Sequence, residues 1–336
     1  MTNDHAQHTL AAMTNLALRR SISRQLLIDA ATKRGLTIEY IGRNETVMKL
    51  KDSAGHVEYC IGTLTSRSAS TGNKIALDKQ LTIDFIHSLG FSVPETVIYS
   101  SPEQGEQFIE QQGTIVVKPK DGSQSIGVTM NVTNPSELQK AIDHASSTKH
   151  RQILLQKQLV GKSYRLFVLN GKLVAAAYRR AAEVIGDGQS TLEALINELN
   201  TNPLRTHAKS TPLEPIDPEK VEVLLGRQSL ANIPAKGESV QLSPIESMSM
   251  GGEAANVTDQ VHSTYAHQAE TIATALGLFT CGFDMVCDDI ANAPVDNYFP
   301  VIEINSKPGL KPHYFPTAGG EPVPLADMII AELFNY

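Results

Sequence analysis

An Asn170-Gly171 dipeptide between two runs of strand-forming residues sets the tightest limit on the fold of this chain. Both residues tolerate positive φ, so the dipeptide predicts a β-hairpin that joins strands at 164–169 and 172–178. Strands joined by so short a turn must run antiparallel. Together with helical patterns elsewhere in the chain, the hairpin favours an α+β fold over a doubly wound parallel sheet.

Periodicity and capping signals predict the other elements. Helices are expected from Ser21 or Ser23 to Gly35, after Asp78, over 134–146, after a capping box at 190–193, and over 261–277. Strands are expected at 36–41, 46–50, 57–60, 114–117, 153–155, 280–287 and 299–304. Residues 200–240 are rich in Pro, Thr and charge, and are expected to form a long excursion outside the core.

Composition disfavours several classes of function. The 336 residues include 29 Lys and Arg against 36 Asp and Glu, a formal charge of -7, which argues against a nucleic-acid partner or an anionic membrane surface. No apolar run approaches the roughly 20 residues of a membrane-spanning helix, and the first residues lack a signal-peptide pattern. Cys60, Cys281 and Cys287 show no metal-ligand or disulfide spacing. A soluble, cytoplasmic protein is expected.

A lysine followed by a loop of small residues is the first candidate site. Lys118 ends a strand, and the loop 121–127 has backbone N–H groups that small side chains leave free to approach phosphate oxygens. The spacing matches neither the Walker motif nor GxGxxG. An ordinary hairpin connection explains this segment equally well when it is taken alone.

Two strands with acidic residues form the second candidate site. Alternation places Asp284 on one face with Gly282 and Val286, and it places Glu303 on one face with Asn305. If the strands pair, two carboxylates and an amide oxygen converge, which suits Mg²⁺ or Mn²⁺ better than zinc. The alternative is a sheet with one solvated face, on which acidic residues are ordinary.

Further polar residues would complete a nucleotide and metal site. The loop 305–313 leaves the second acidic strand and carries Lys311 and His313, which either contact a substrate or lie on the surface. The turn 248–252 either donates N–H groups to an anion or is only a turn. With the basic hairpin residues Arg165, Arg179 and Arg180, the set indicates phosphoryl transfer that depends on charge neutralisation.

The chain resembles the ATP-grasp ligases over residues 21–334, in particular the ATP-grasp half of bifunctional bacterial glutathione synthetases and the cyanophycin synthetases. The resemblance rests on ordered blocks, among them GNKIALDKQLT, VVKPKDGSQSIGV, YRLFVLNGKLVAAAYRR, PLRTHAKSTPLE, MGGEAANVTDQVH, GFDMV and IEINSKPGLKPH. Each block is weak alone, whereas their order and spacing are specific.

The resemblance implies a role for each matching position. ATP would be bound by phosphate lysines, a mobile loop and an adenine-reading and ribose-holding segment, namely Lys79, Lys118, Asp121, Gly122, Ser123, Ser125, Gly127, Gln156, Lys157, Leu159 and Ser163. The metal ligands would be Asp284, Glu303 and Asn305, and Arg165, Arg179 and Lys118 would serve catalysis. Substrates would contact Arg180, Ser249, Gly251, Gly252, Lys311 and His313.

The implied fold is an ATP-grasp fold, with two α+β lobes that grip ATP and a short N-terminal segment before them. The domains would be 1–75, an N-terminal segment, 76–160, the lid and first lobe, and 161–336, the catalytic lobe with the metal site. The implied reaction uses ATP with Mg²⁺ or Mn²⁺ to activate a carboxylate as an acyl phosphate, which an amine attacks to form an amide. The expected partners are small amino acids or peptides, and the protein itself is expected to form a homodimer.

Departures from the family pattern leave the substrates open. Gln156 and Ser163 are neutral where the family usually has acidic residues, Ser243 replaces an expected Arg, Ser247 an expected Asn, and Asn256 an expected Asp. Ser cannot hold a carboxylate through two parallel bonds as Arg can. The alternatives are a glutathione synthetase that joins γ-glutamylcysteine to glycine, a ligase that acts on a protein C-terminus, and a nucleotide-binding regulator without catalytic activity.

Overall fold

The structure is a computed structural model that describes residues 21–42, 45–121, 126–148, 152–205, 212–243, 246 and 248–335. Contacts divide these residues into two units. The first unit comprises described residues of Met1–Thr65, Val174–Asp259 and Gly309–Tyr336, and the second comprises those of Ser66–Leu173 and Gln260–Pro308. The domain boundaries after residues 75 and 160 stay predictions. Among the described residues, no helix combines the length and apolar character needed to cross a membrane.

Seven of the ten described α-helices begin after a residue whose side chain caps the first turn. Asp78 Oδ1 accepts from the backbone N–H groups of Gln80 and Leu81 at 3.1 Å each, and Asn134 Oδ1 accepts from that of Glu137 at 3.0 Å. The described α-helices are α1 (Ile22–Lys33), α2 (Ser70–Ala76), α3 (Lys79–Ser88), α4 (Pro102–Gln112), α5 (Pro135–Ser146), α6 (Leu192–Asn200), α7 (Pro218–Leu225), α8 (Ser263–Leu276), α9 (Lys311–Tyr314) and α10 (Leu325–Phe334).

Strand pairing is antiparallel in every register that links the described strands. The described strands are β1 (Thr37–Ile41), β2 (Val47–Lys51), β3 (Val57–Ile61), β4 (Leu64–Thr65), β5 (Thr96–Ile98), β6 (Ile115–Pro119), β7 (Thr129–Val132), β8 (Ile153–Lys157), β9 (Lys162–Leu169), β10 (Lys172–Arg180), β11 (Glu183–Ile185), β12 (Ser239–Gln241), β13 (Glu253–Asn256), β14 (Thr280–Cys287) and β15 (Val301–Asn305). The α+β prediction is confirmed.

One sheet of the second unit has the strand order β5-β8-β6-β7. Helices α4 and α5 cover it, and their apolar stripes share a core with the strands that includes Phe108, Ile115, Val117, Leu138 and Leu155. Because alternate residues of a strand point to opposite faces, the same pattern that buries Val117 against the helices turns Lys118 toward the other face.

The second unit also contains the three neighbouring strands β9, β14 and β15. The predicted turn follows β9, and Asn170 and Gly171 adopt φ values of 48° and 75° as a tight hairpin requires. Strand β14 is central, with Phe283 and Met285 fully buried on one side. Strand β14 is therefore hydrogen-bonded along both edges, to β9 and to β15.

In the first unit, β1 to β4 form a sheet in chain order, and α1 packs against α10. Strand β10 pairs with β13, and β11 pairs with β12. The N-cap of α1 is Ser21, one of the two predicted candidates, whereas α6 begins after Thr191 and not at the predicted Ser190. The hydroxyl of Ser190 donates to Asp187 Oδ2 at 2.7 Å instead, which removes it from the helix.

The prediction that residues 200–240 lie outside the core is wrong. Ile216, Val221 and the helix α7 that follows Asp217 share an apolar cluster with Leu195 and Ile196 of α6. Apolar residues are sparse in this segment, so its composition resembles that of a loop even though those few residues are buried together. Helices α2, α4, α9 and α10 were also not predicted.

Candidate active site

Three neighbouring strands of the second unit place the predicted metal ligands side by side. Asp284 on β14 lies opposite Arg165 on β9 and opposite Glu303 on β15. Gly282 lies opposite Asn305, two residues along the same pair of strands. The register therefore brings together Asp284, Glu303 and Asn305, although they are up to 21 positions apart in the chain.

Asp284 is held by two hydrogen bonds from one guanidinium. Arg165 Nε donates to Asp284 Oδ1 and Arg165 Nη2 donates to Asp284 Oδ2, each at 2.5 Å. The two side chains are 16% and 8% exposed, so the ion pair is shielded from water. A bidentate pair of this kind fixes the plane of the carboxylate as well as its position.

Glu303 is a partly buried carboxylate close to several charges. Burial, followed by the negative charge of Asp284, raises the pKa of Glu303 above its usual range, and Lys79, Arg165 and Lys118 oppose that shift. Two carboxylates that approach each other in a dry environment favour a cation between them. Glu303 and the four charged side chains that act on its pKa are called the charged cluster, namely Lys79, Lys118, Arg165, Asp284 and Glu303.

The residues present fit a hard divalent cation. Carboxylate and amide oxygens are the ligands that Mg²⁺ prefers. The side-chain Nδ2 of Asn305 is buried and has no hydrogen-bond partner among the described residues. Because an amide nitrogen donates and does not ligate a hard cation, the ligand atom from Asn305 would be its Oδ1. Within the described ranges, no three His, Cys, Asp or Glu side chains gather to hold a metal, and Asn305 would be the third ligand beside Asp284 and Glu303.

Lys118 is the most deeply buried cation of the charged cluster, at 3% exposed. Its Nζ donates to Gln156 Oε1 at 2.7 Å and to the carbonyl oxygen of Ile302 at 3.4 Å. Burial, together with the positive charge of Lys79, lowers the pKa of Lys118 from 10.5 to about 7, against the opposing effect of Glu303. An ammonium held by neutral groups in a dry site loses its proton easily.

Lys79 is the first residue of α3, and the helix start is anchored to the strand that carries Lys118. The backbone N–H of Lys79 donates to the carbonyl oxygen of Lys120 at 3.2 Å. The ammonium of Lys120 lies 3.1 Å from Asp78 Oδ2, the N-cap residue of α3. These contacts tie Lys79 to the end of β6.

The predicted mobile loop is described only at its two ends. Asp121 is exposed, and Gly127 lies so close to Thr148 and Pro119 that an added Cβ would come within 2.7 Å of Thr148 Cγ2. Gly122, Ser123 and Ser125 lie outside the described residues.

The predicted adenine segment comprises the last two residues of β8 and the two residues after it, in the second unit. The backbone N–H of Lys157 donates to the carbonyl oxygen of Glu95 at 2.9 Å, and Leu159 is half-buried. Ser163 is buried on β9, opposite Val286. The side chain of Gln156 is 4% exposed and binds Lys118, so in this structure it faces the charged cluster.

The first unit holds the predicted substrate residues. Arg180 on β10 lies opposite Glu253 on β13, and its Nη2 donates to Glu253 Oε2 at 2.7 Å. Arg179 lies opposite Ala254. Lys311 Nζ lies 3.5 Å from Glu214 Oε1, and His313 is 1% exposed. Burial lowers the pKa of Lys311 and raises the pKa of Glu214, and each opposes the shift of the other.

Arg205 is a buried residue of this region that the sequence analysis did not single out. It is 2% exposed, and its Nη1 donates to the carbonyl oxygens of Gly251 at 2.6 Å and Glu214 at 3.2 Å. Gly251 has a φ of 81°, and a Cβ there would lie 2.1 Å from Ile216 Cδ1. Gly252 is buried beside it, whereas the side chain of Ser249 lies outside the described residues.

Arg205 and Glu214 both belong to the block PLRTHAKSTPLE. That block supported the family resemblance, but nothing in its spacing distinguishes a buried arginine from a surface one. No local signal identifies Arg205, because its burial depends on its contacts with Glu214 and Gly251, which lie elsewhere in the chain.

Comparisons with known proteins find a matching family and several similar proteins. The family described as "Prokaryotic glutathione synthetase, ATP-grasp domain" matches residues 81–204. The chain is 31% identical over 323 residues to the glutathione biosynthesis bifunctional protein GshAB of Pasteurella multocida, covering 93% of this chain and 42% of that protein. It is 32% identical over 279 residues to the cyanophycin synthetase of Geminocystis herdmanii, covering 80% of this chain and 32% of that protein.

A solved structure shows the same fold. The crystal structure of a bifunctional glutathione synthetase from Pasteurella multocida matches with a TM-score of 0.70 and 30% identity, covering 94% of this chain and 44% of that chain. The chain therefore belongs to the ATP-grasp family. Its homologues include the bifunctional GshAB proteins and the cyanophycin synthetases, and it spans 42% of the GshAB protein of Pasteurella multocida.

Proposed function

We propose that this chain is an ATP-dependent carboxylate–amine ligase that forms an amide bond between small amino acid or peptide substrates and releases ADP and phosphate. The observation that carries the proposal is the charged cluster, in which the buried Asp284 and the partly buried Glu303 lie among three cationic side chains. Homologous proteins named for glutathione biosynthesis and cyanophycin synthesis support the same class of reaction.

The second unit would bind and activate the nucleotide. Lys79 and Lys118 would contact the phosphates of ATP, and the loop 121–127 would exclude water from the reacting γ-phosphate. Asp284, Glu303 and Asn305 would hold Mg²⁺, which supplies neutralisation of phosphate charge when it is bound. Arg165 would orient Asp284 through its bidentate contact.

Binding of the substrates is assigned to residues of the first unit. Arg179, Arg180 and Lys311 would attract the carboxylates of amino acid or peptide substrates, and the turn at Gly251 and Gly252 would offer backbone N–H groups. The contact of Arg180 with Glu253 and that of Lys311 with Glu214 hold two of these cations in defined positions.

The more specific proposal is a glutathione synthetase reaction, in which γ-glutamylcysteine is joined to glycine. The printed names of the GshAB homologues support it. The first unit contains Ser243, buried where the family has an arginine, and this residue would favour a different carboxylate substrate. We further propose that the protein is cytoplasmic and that it forms a homodimer. Light scattering of the purified protein tests the homodimer.

A substrate screen tests the proposed function. Purified protein is incubated with ATP, Mg²⁺ and single or paired amino acids and γ-glutamylcysteine, phosphate release is measured, and products are identified by mass spectrometry. We expect phosphate release above background only with a matching pair of substrates. The product should have the summed mass of the two substrates less one water. ATP binding without release for any pair would favour a nucleotide-binding regulator, and absence of ATP binding would refute both.

A further inference from the structure

A chain of hydrogen bonds in the second unit leads from the backbone to Lys118. Thr96 Oγ1 donates to the carbonyl oxygen of Pro94 at 2.9 Å, Gln156 Nε2 donates to Thr96 Oγ1 at 2.8 Å, and Lys118 Nζ donates to Gln156 Oε1 at 2.7 Å. The strand register supports this chain, because Thr96 on β5 lies opposite Gln156 on β8. On the other side of β8, Lys118 lies opposite Leu154, two residues from Gln156.

The direction of each bond determines the orientation of the Gln156 amide. Thr96 has one hydroxyl proton, which it gives to the carbonyl of Pro94, so its oxygen is left to accept from an N–H group. An ammonium has donors only and therefore requires the amide oxygen. A flipped Gln156 amide would turn its NH₂ group toward the ammonium of Lys118, with two donors facing each other.

We infer that Thr96 and Gln156 act together as positioning residues for ATP binding, with Thr96 holding the Gln156 amide in the one orientation that fixes the ammonium of Lys118. The inference rests on the proposed function, because it takes Lys118 to contact the nucleotide. A lysine side chain without this support would have to be ordered when ATP binds. Thr96 is therefore not a catalytic residue, and it acts only through Gln156.

This arrangement gives a reason for glutamine at position 156, where the family usually has an acidic residue. A carboxylate has no N–H group, so it could not donate to Thr96 as Gln156 Nε2 does. The glutamine thus joins an acceptor for Lys118 to a donor for Thr96 in one planar group. The orientation is set by the backbone carbonyl of Pro94, which is part of the folded chain and not of the ligand.

The test is a double-mutant cycle on the affinity for ATP, measured by calorimetry with Mg²⁺ and without a carboxylate substrate. Thr96→Val is expected to weaken ATP binding about fivefold, the usual effect of one lost hydrogen bond, and Thr96→Ser is expected to restore it. In a Gln156→Leu background, Thr96→Val should cause no further loss, because its effect passes through Gln156. KM for ATP should rise in Thr96→Val while kcat changes less than about twofold.

Thr32→Val is the matched control. Its hydroxyl also donates to a backbone carbonyl, that of Ile28 at 2.8 Å, but it lies on α1 in the first unit. This variant should bind ATP like the wild type, and thermal melting of each variant shows whether it is folded. Thr96→Ala replaces Thr96→Val in the cycle if the valine variant does not fold.

The outcomes separate this inference from the proposed function. Wild-type protein that fails to bind ATP would overturn the proposed function and the inference with it. ATP binding by the wild type, with independent losses from Thr96→Val and Gln156→Leu that multiply in the double variant, would overturn the inference alone. Failure of Thr96→Ser to restore binding would have the same meaning.

Discussion

Replacement of Gln156 by glutamate should change how ATP binding depends on pH. Burial and the charge of Lys79 lower the pKa of Lys118 to about 7, and Glu303 is the anion whose charge opposes this. Gln156 contacts the ammonium at 2.7 Å but contributes no net charge. In Gln156→Glu a carboxylate would occupy that position and would raise the pKa of Lys118.

The size of the effect follows from the protonated fraction of Lys118. With a pKa of about 7, that fraction falls from about 90% at pH 6 to about 3% at pH 8.5. If only the ammonium form binds the phosphates, apparent ATP affinity should fall about 30-fold over this range. An opposite charge at hydrogen-bond distance raises such a pKa by about 1–3 units. With a rise of about 2 units, the Gln156→Glu variant should lose less than about twofold over the same range.

The assay is calorimetric titration of ATP in excess Mg²⁺ at several pH values between 6 and 8.5, with wild type and variant compared at each pH. Because both proteins meet the same nucleotide, titration of the nucleotide itself cancels in the ratio of their affinities. Gln107→Glu, on the exposed face of α4, adds the same charge elsewhere and should leave the wild-type profile unchanged. Equal slopes for wild type and Gln156→Glu would refute the reasoning.

Three further changes test the charged cluster and one departure from the family pattern. Lys118→Met should abolish tight ATP binding. In thermal melting it should also raise stability by about 2–4 kcal/mol at pH 6 but little at pH 10. Folding lowers the pKa of Lys118 from 10.5 to about 7, so protonation of this lysine at low pH favours the unfolded state of the wild type. Glu303→Gln should lower phosphate release at least about 100-fold while changing ATP affinity less than about tenfold; unchanged release would contradict the metal assignment. Asn256→Asp should lower the unfolding free energy by about 1–2 kcal/mol in urea, since Asn256 Nδ2 donates to the carbonyl of Glu321 at 2.6 Å; an unchanged value would show that this bond contributes little.

Alternation along strands was enough to predict which side chains share a face. The period of two residues placed Glu303 with Asn305 and set Asp284 apart from its buried neighbours Phe283 and Met285. The pairing of the two strands was left as a condition, because period alone does not choose a partner strand. The structure meets that condition, with Asp284 opposite Glu303.

Long-range partners could not be derived from local patterns. Asp284 binds Arg165, which is 119 positions away, and Lys118 binds Gln156, which is 38 positions away. Each contact depends on which strands are neighbours, and strand order is a property of the whole fold. The same reason explains why Arg205 was missed, since its environment is created by the buried segment around Ile216.

The protonation of Lys118 decides the net charge that the charged cluster offers to a ligand. With Lys118 protonated, three cationic side chains face two carboxylates, whereas loss of its proton leaves the charges balanced. A nucleotide triphosphate brings several negative charges into a site where Asp284 is already neutralised by Arg165. Charge balance on the phosphates would therefore call for a divalent cation in addition to the lysines, for which Asp284, Glu303 and Asn305 are the proposed ligands.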